Sequence, residues 1–321
     1  MLPYYPTQRE LQRKLKAISN LNLAITPYRR IQHILNKELF MPISVAQLHA
    51  GQYVERIRIN NGIEIFTEKD KISYIKDSRK IETFGRANAP GQAMFYGSVV
   101  SNGILTLARI SALAETVLEL QGDNKGVSNR KLLMTVGKWK LKKDLIVSEL
   151  VFNKEAVEKC GDTRRAYETQ LKIITEKFEG LQLKQHIALL EFYSKQFARR
   201  AEKDTDYKIS AAFTECVCRN ANLHGIIYPS VQTEFEGTNV ALTPEAVETC
   251  LELEEALIVS VDIRNTKVFL NNHFRTGLLK ANQTSFGWGK AESVSQDVIE
   301  EYFLGNNEAL IDWKRKMAAD K

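Results

Sequence analysis

Apolar positions along the chain follow helical spacing in some segments and strand alternation in others. In residues 7–24, Leu11, Leu15 and Ile18 recur every three or four residues, which predicts an amphipathic helix. Residues 28–39 predict a second helix, so the chain opens with a helical hairpin. Further helices are predicted at 104–120, 164–178, 183–203, 208–221 and 294–318.

Strand-like segments are interspersed with these helices. They cover residues 53–59, 72–75, 92–96, 132–139, 145–152 and 224–230, and a hairpin of 256–262 with 266–270. The helices interrupt the strands without regular βαβ spacing, which favours an α+β fold over a doubly wound sheet. The glycine motifs of Rossmann and P-loop nucleotide sites are missing from the sequence.

The composition is that of a soluble globular protein. Of 321 residues, 44% are hydrophobic and 26% are charged, enough to build a sizeable core. No apolar run approaches the roughly 18 residues that a membrane helix needs, and no apolar segment follows the basic N-terminal residues as in a secretory signal. We therefore expect a cytoplasmic protein without a membrane partner.

The net charge of +6 is concentrated at the N-terminus. Residues 1–50 carry 7 Lys and Arg against 2 Asp and Glu, whereas residues 51–250 carry 29 against 26. A basic segment of this kind can bind nucleic acid or an acidic partner, or can simply be a solvent-exposed helix face. Of these, we do not expect nucleic-acid binding. The four cysteines lack the spacing of a disulfide framework or a metal site, so no metal is predicted; they are Cys160, Cys216, Cys218 and Cys250.

Three stretches place polar residues beside strand-like runs. The first, 53–59, carries two arginines; the second, 85–98, precedes a largely apolar helix that bears two glutamates; the third spans 222–245. The candidate residues are, in chain order, Arg56, Arg58, Arg86, Asn88, Tyr96, Glu115, Glu119, Tyr228, Ser230 and Asn239.

These stretches resemble the RES domain family, named for an Arg, a Glu and a Ser. The matching residues are Gly85-Arg86-Ala87-Asn88 with Gly91 and Phe95-Tyr96, then Ala112-Leu113-Ala114-Glu115, then Gly225-Ile226-Ile227-Tyr228-Pro229-Ser230 and Asn239-Val240-Ala241-Leu242-Thr243-Pro244. The match covers roughly residues 51–250. Each motif alone is weak, but the three occur in the family's order.

The resemblance implies a fold similar to ADP-ribosyltransferases and NAD as substrate. Family members are bacterial toxins that cleave the nicotinamide–ribose bond with phosphate or water as acceptor, and a neighbouring antitoxin holds them in check. Two alternatives stay open: an ADP-ribosyltransferase that modifies a protein or nucleic acid, and a non-catalytic NAD-binding or partner-binding module. A homo-oligomer is also compatible with the sequence.

The resemblance also assigns roles to residues. Arg56 corresponds to the family's strand arginine and would grip the pyrophosphate with its planar guanidinium, with Arg58 as the competitor two residues on. Glu115 would stabilise the positive charge that develops on the ribose. Tyr96 and Glu115 are 19 positions apart, more than in typical members, which leaves Glu119 open as the carboxylate.

The remaining candidates are expected around the same dinucleotide. Ser230 would hydrogen-bond a phosphate or the nicotinamide amide, and Tyr96 would face the cleft from the end of its strand. Arg86 and Asn88 would contact the substrate or fix the turn that aims this strand. Tyr228 would bind substrate or pack in the core. The central expectation is that Arg56, Glu115 and Ser230 converge on one cleft.

The chain is predicted to contain three parts. Residues 1–50 form a helical N-terminal extension, and residues 51–250 form the RES-like domain with a helical insertion at about 153–205. Residues 251–321 complete that domain with a hairpin and helices. The added segments are candidates for docking an antitoxin-like partner, for forming a dimer or for covering the cleft.

Overall fold

The computed structural model describes residues 6–60, 64–100, 105–119, 130–264 and 267–290. The predicted helix at 294–318 lies outside this part of the chain, as do residues 101–104 of the connection between Tyr96 and Glu115. No helix among the described residues has the length and apolar character needed to cross a bilayer.

The described strands form one mixed sheet of ten strands. In chain order they are β1 (Val45–Leu48), β2 (Tyr53–Ile59), β3 (Phe95–Val99), β4 (Arg130–Leu141), β5 (Leu145–Glu149), β6 (Gly225–Pro229), β7 (Thr238–Leu242), β8 (Leu251–Arg264), β9 (Lys267–Arg275) and β10 (Gly289–Lys290). Their order across the sheet is β1-β5-β6-β7-β3-β2-β4-β8-β9-β10. Among these strands, only β5 and β6 pair in parallel.

Eight α-helices pack around this sheet in the described residues. They are α1 (Gln8–Ser19), α2 (Tyr28–His33), α3 (Leu105–Glu119), α4 (Lys154–Lys159), α5 (Gly161–Lys177), α6 (Gly180–Phe197), α7 (Lys208–Asn220) and α8 (Pro244–Cys250). A π-helical turn, Ile34–Glu38, extends α2. The predicted α+β class is confirmed.

Several predicted boundaries shift in the structure. The segment 72–75 is irregular after a 3-10 turn (Lys69–Ile72), so the strand predicted there is wrong. The strand predicted at 92–96 is β3, which begins only at Phe95, so Tyr96 is its second residue rather than its last. The predicted C-terminal hairpin is present as β8 and β9, paired antiparallel.

The two faces of the sheet carry different cores. On one face, strand residues such as Tyr228 and Ala241 pack under α1, α6 and α7. On the other face, the neighbouring strand residues Ile227 and Val240 pack with Phe95, Trp139 and residues of α8. Because side chains alternate along a strand, the parity of a residue decides which core it joins.

Strand β2 shows this alternation in its charged residues. Glu55 and Ile57 point to the face that α3 covers, where Glu55 pairs with Arg109 of α3 at 2.7 Å and Ile57 packs with Leu113. Arg56 lies on the opposite face, where its guanidinium stacks over the Phe95 ring at 5.1 Å.

The N-terminal helices belong to the same folded body. Thr7 caps α1 in a capping box with Glu10, and Leu11 and Ile18 of α1 are buried in the core beneath α6 and α7. Tyr28 of α2 donates a hydrogen bond to Glu215 of α7 at 3.1 Å. The basic residues of this segment therefore sit on helices whose apolar sides are held by the core.

Candidate functional site

Helix α3 carries a carboxylate to the ends of two strands. Ser230, directly after β6, donates its hydroxyl to Glu115 Oε1 at 2.7 Å. Asn239 in β7 donates from Nδ2 to the same oxygen at 2.8 Å. Ser230 and Asn239 are buried, whereas Glu115 is partly exposed. The arrangement holds one carboxylate oxygen of a partly exposed glutamate with two buried donors.

The loop after β6 fixes the position of Ser230. Its backbone N–H donates to the carbonyl of Gly237 at 2.7 Å, and its carbonyl accepts from the N–H of Phe235 at 2.7 Å. Phe235 and its neighbour Glu234 have positive φ angles of 73° and 49°, which are uncommon for residues other than glycine. The loop thus folds back tightly and leaves the Ser230 hydroxyl facing α3.

The same loop touches α3 closely at a glycine. A Cβ atom at Gly237 would stand 1.8 Å from Ser111 Oγ and 2.8 Å from Ser111 Cβ. Ser111 precedes Glu115 by one helical turn, so both lie on the same side of α3. The missing side chain at Gly237 therefore permits the short distance between helix and loop that the Ser230–Glu115 hydrogen bond requires.

Arg86 is a buried arginine whose positive charge acts on Glu115. It is only 6% exposed, and it donates to the carbonyls of Phe197 and Arg199 at the end of α6. Burial opposes its charge, but surrounding groups outweigh burial and raise the pKa of Arg86; these groups are Tyr207, Glu115, Tyr228 and Tyr96. Arg86 is thus a fixed cation that attracts the Glu115 carboxylate.

Asn88 and Tyr96 hold each other. The Tyr96 hydroxyl donates to Asn88 Oδ1 at 2.6 Å and accepts from the N–H of Ala87 at 2.9 Å. A Cβ at Gly85 would meet Asn88 Oδ1 at 2.3 Å, so glycine is needed for this turn to close. In the structure, this pair fixes the turn that presents Arg86, which agrees with the architectural alternative for these residues.

Tyr228 lies inside the core rather than on a surface. It is 4% exposed, and its ring contacts the Phe197 ring at a centroid distance of 5.5 Å. Burial raises the pKa of Tyr228 well above its ordinary value. The Arg86 guanidinium lies 5.8 Å from the Tyr228 ring centre, so this tyrosine forms part of the floor beneath Arg86.

The structure does not bring Arg56 and Arg58 to Glu115. Arg56 donates to the main-chain carbonyls of Tyr96 at 2.6 Å and Ser73 at 3.2 Å, on the face opposite to α3. Arg58 donates to the carbonyl of Lys71 and stacks over Phe66, and burial lowers the pKa of Arg58 while Glu64 opposes that effect.

The expected three-residue convergence is therefore present only for Glu115 and Ser230. The residue that sequence reasoning left without a role is Asn239, although it was noted in the third polar stretch. The sequence feature that points to Asn239 is the stretch 239–244, which begins at this residue and resembles the family pattern. The side chain of Glu119 lies outside the described part of the structure, so the choice between the two glutamates stays a prediction.

Among the described residues, no group of three or more His, Cys, Asp or Glu side chains has the arrangement of a metal site. The cysteines Cys160, Cys216, Cys218 and Cys250 are free thiols. Burial raises the pKa of Cys218 to about 12, which makes its thiolate rare at neutral pH. The site described above brings together a carboxylate, a hydroxyl, an amide and a guanidinium.

Comparisons with known proteins give little for this chain. No protein-family model matches the sequence, and no curated protein matches it. Among solved structures, the chain is similar to a chain of the crystal structure of the M. tuberculosis MbcT-MbcA toxin-antitoxin complex. The similarity covers 80% of this chain and 93% of that chain, at 11% identity and a TM-score of 0.30.

Proposed function

We propose that the protein is a RES-type enzyme that cleaves the nicotinamide–ribose bond of NAD. One observation carries the proposal: Glu115, Ser230 and Asn239 meet within 2.8 Å although Ser230 and Asn239 lie more than 110 positions beyond Glu115. Two of the three motifs that resemble the family thus supply polar groups to one place, and Arg86 of the remaining motif attracts the same carboxylate.

The carboxylate suits this reaction. When the bond between ribose C1 and the nicotinamide nitrogen breaks, its electron pair leaves with nicotinamide, which departs as a neutral molecule. Positive charge is left on C1 and the ring oxygen of the ribose. A preorganised carboxylate beside that charge lowers the barrier, because it stabilises the positively charged transition state more than it stabilises the bound NAD. No proton needs to be supplied to the leaving group.

The acceptor then completes the reaction at C1. If an oxygen of inorganic phosphate attacks, the products are nicotinamide and ADP-ribose 1-phosphate. If water attacks, the products are nicotinamide, ADP-ribose and a proton. Both routes use the same carboxylate, so the acceptor is to be identified from the product rather than from Glu115.

We assign the site cation to Arg86 instead of Arg56. Arg86 attracts Glu115, and this carboxylate and the surrounding tyrosines keep Arg86 charged although burial opposes the charge. Arg56 occupies the other face and supports the Tyr96 carbonyl from behind β3. This assignment predicts that Arg86→Lys lowers NAD cleavage strongly, because lysine lacks the planar fork. It also predicts that Arg56→Ala retains cleavage to within about threefold per folded molecule.

The experiment is to incubate the purified chain with NAD, with and without phosphate, and to follow nicotinamide and the ribose product. Glu115→Gln and Ser230→Ala are expected to lower the rate by about 100-fold or more. Glu149→Gln is the matched control, since Glu149 is a partly buried glutamate in β5 that accepts from Gln170 at 2.9 Å, away from Glu115.

The possible products separate the candidate functions. Phosphorylated ADP-ribose means phosphorolysis, free ADP-ribose means hydrolysis, and label on a macromolecule means ADP-ribosyl transfer. Binding of NAD without nicotinamide release means a non-catalytic module and contradicts the proposal. A Glu115→Gln variant with wild-type turnover removes Glu115 from the site even if the enzyme class is right.

The proposal extends to the biological role. The sequence resemblance implies a toxin whose activity depletes cellular NAD and which a co-encoded antitoxin restrains. Expression of the wild-type chain is then expected to arrest growth, while Glu115→Gln is tolerated. A fully active enzyme that leaves growth and cellular NAD unchanged contradicts this role without contradicting the chemistry.

A further inference from the structure

The two oxygens of the Glu115 carboxylate are not equivalent. Oε1 accepts both hydrogen bonds, from Ser230 Oγ and from Asn239 Nδ2. Within the described part of the chain, Oε2 accepts no hydrogen bond from the protein. A carboxylate fixed on one oxygen by two donors has a single orientation, and its second oxygen keeps its lone pairs for another ligand.

The Asn239 amide is itself held in place by a serine. Ser98 in β3 donates its hydroxyl to Asn239 Oδ1 at 2.8 Å, and the two residues are directly opposite each other in the β3–β7 pair. Both are almost fully buried, at 1% and 3% exposure. With Oδ1 occupied by Ser98, Nδ2 faces the carboxylate. The opposite amide orientation would set two acceptors against each other.

An ion pair between β2 and α3 attaches the helix to the sheet at a second place. Ser98 is opposite Glu55 in the β2–β3 pair, and Glu55 is fully buried and ion-paired with Arg109 of α3 at 2.7 Å. Helix α3 is thus attached to the sheet at Arg109 and again at Glu115. These two attachments restrict both sliding and rotation of the helix about its axis.

From these contacts we infer that Asn239 is a positioning residue: held by Ser98, it fixes Oε1 of Glu115 so that Oε2 is the atom presented to the ribose. The inference rests on the proposed function and adds the oxygen that acts and the residues that orient it. Asn239 acts through Glu115 and does not need to touch the substrate.

The test compares two buried asparagines. Asn60 is 4% exposed, accepts at Oδ1 from the Thr135 hydroxyl at 3.0 Å and donates from Nδ2 to the Glu64 carbonyl at 2.6 Å, so its hydrogen bonding resembles that of Asn239 without Glu115. Asn239→Asp and Asn60→Asp each replace the donor by an acceptor of the same shape. Both are measured for nicotinamide release from NAD and for unfolding in urea.

We expect Asn239→Asp to lower kcat by about 100-fold, because a misplaced catalytic group commonly costs that much. KM for NAD stays within about threefold, since the interaction lost belongs to the transition state. Ser98→Ala, which releases Oδ1 and leaves Nδ2 in place, is expected to show a smaller fall in kcat. Asn60→Asp is expected to keep kcat within about threefold whatever its stability.

Several results overturn the inference. If Asn239→Asp keeps kcat within about threefold of wild type, or loses no more than Asn60→Asp, orientation by Asn239 is not needed. If the wild-type chain releases no nicotinamide, the proposed function fails separately. The positioning claim is then decided by a crystal structure of Asn239→Ala. An unchanged Glu115 carboxylate in that structure overturns the claim, and a rotated carboxylate supports it.

Discussion

Replacing Gly237 with alanine tests whether the distance between α3 and the loop after β6 controls the site. The new Cβ would stand 1.8 Å from Ser111 Oγ and 2.8 Å from Ser111 Cβ. Rotation of the serine relieves only the first contact, since its Cβ is fixed by the helix. The loop and α3 must therefore move apart by a few tenths of an ångström at least.

The expected cost is that of overpacking, about 1–3 kcal/mol in the free energy of unfolding. The movement also lengthens the 2.7 Å bond between Ser230 and Glu115, because Glu115 is one turn beyond Ser111. We therefore expect a fall in NAD cleavage that exceeds the loss of folded protein. Urea unfolding measures the first effect, and nicotinamide release per folded molecule measures the second.

Gly161→Ala is the matched control. Its Cβ would have only the Arg165 side chain within 4 Å, at 3.9 Å, so this substitution is expected to be neutral or to stabilise by about 0.4–1 kcal/mol. Ser111→Gly in the Gly237→Ala background removes the offending Cβ and is expected to restore part of both losses. Wild-type stability and turnover in Gly237→Ala alone would refute the reasoning.

Three further predictions concern the groups around the site. Arg109→Ala leaves Glu55 buried without its cation, and since burial already raises the pKa of Glu55 above its ordinary value of 4.5, the variant is expected to raise that pKa further. The folded state then holds its proton to higher pH than the unfolded state, so the free energy of unfolding is expected to fall more steeply as pH rises. Urea unfolding from about pH 5 to 8 measures this change. Arg86→Lys is expected to cost about 2 kcal/mol in unfolding free energy, because the shorter reach and different shape of the lysine ammonium do not reproduce the guanidinium hydrogen bonds to both carbonyls at the end of α6; an unchanged urea midpoint contradicts this. Tyr96→Phe removes the donor to Asn88 and is expected to cost about 1–2 kcal/mol by the same measurement, whereas equal stability would show that the turn does not depend on this hydroxyl.

The sequence contains enough to pair Glu115 with Ser230 but not enough to place the arginine. The segment 53–59 has a glutamate on one face and two arginines on the other, so its alternation does not say which charged face meets the helix. The deciding contact is Glu55 with Arg109, a residue 54 positions away. Which side of the strand faces α3 is therefore decided by tertiary contacts, and the sequence of the strand alone does not decide it.

Strand β7 shows the same limit in a different way. Its residues 238–242 are mostly buried on both faces between β6 and β3, so they lack the alternation that marks a half-exposed strand. Six of the predicted helices, in contrast, begin within three residues of the start of α1, α2, α3, α5, α6 and α7, whereas the short helices α4 and α8 were not predicted. Asn239 was therefore visible as a residue but not as a member of a strand that positions it.

The contact between Arg86 and the end of α6 has a consequence for trimming this protein. The helices between residues 154 and 197 look like a removable addition to a smaller domain, yet their last carbonyls accept hydrogen bonds from a cation beside the site. A shortened chain without these helices would remove the Phe197 acceptor of the buried Arg86 guanidinium and the helix that positions the Arg199 acceptor. The smallest active version of the chain must therefore keep α6, because this helix helps to hold the buried arginine beside the site.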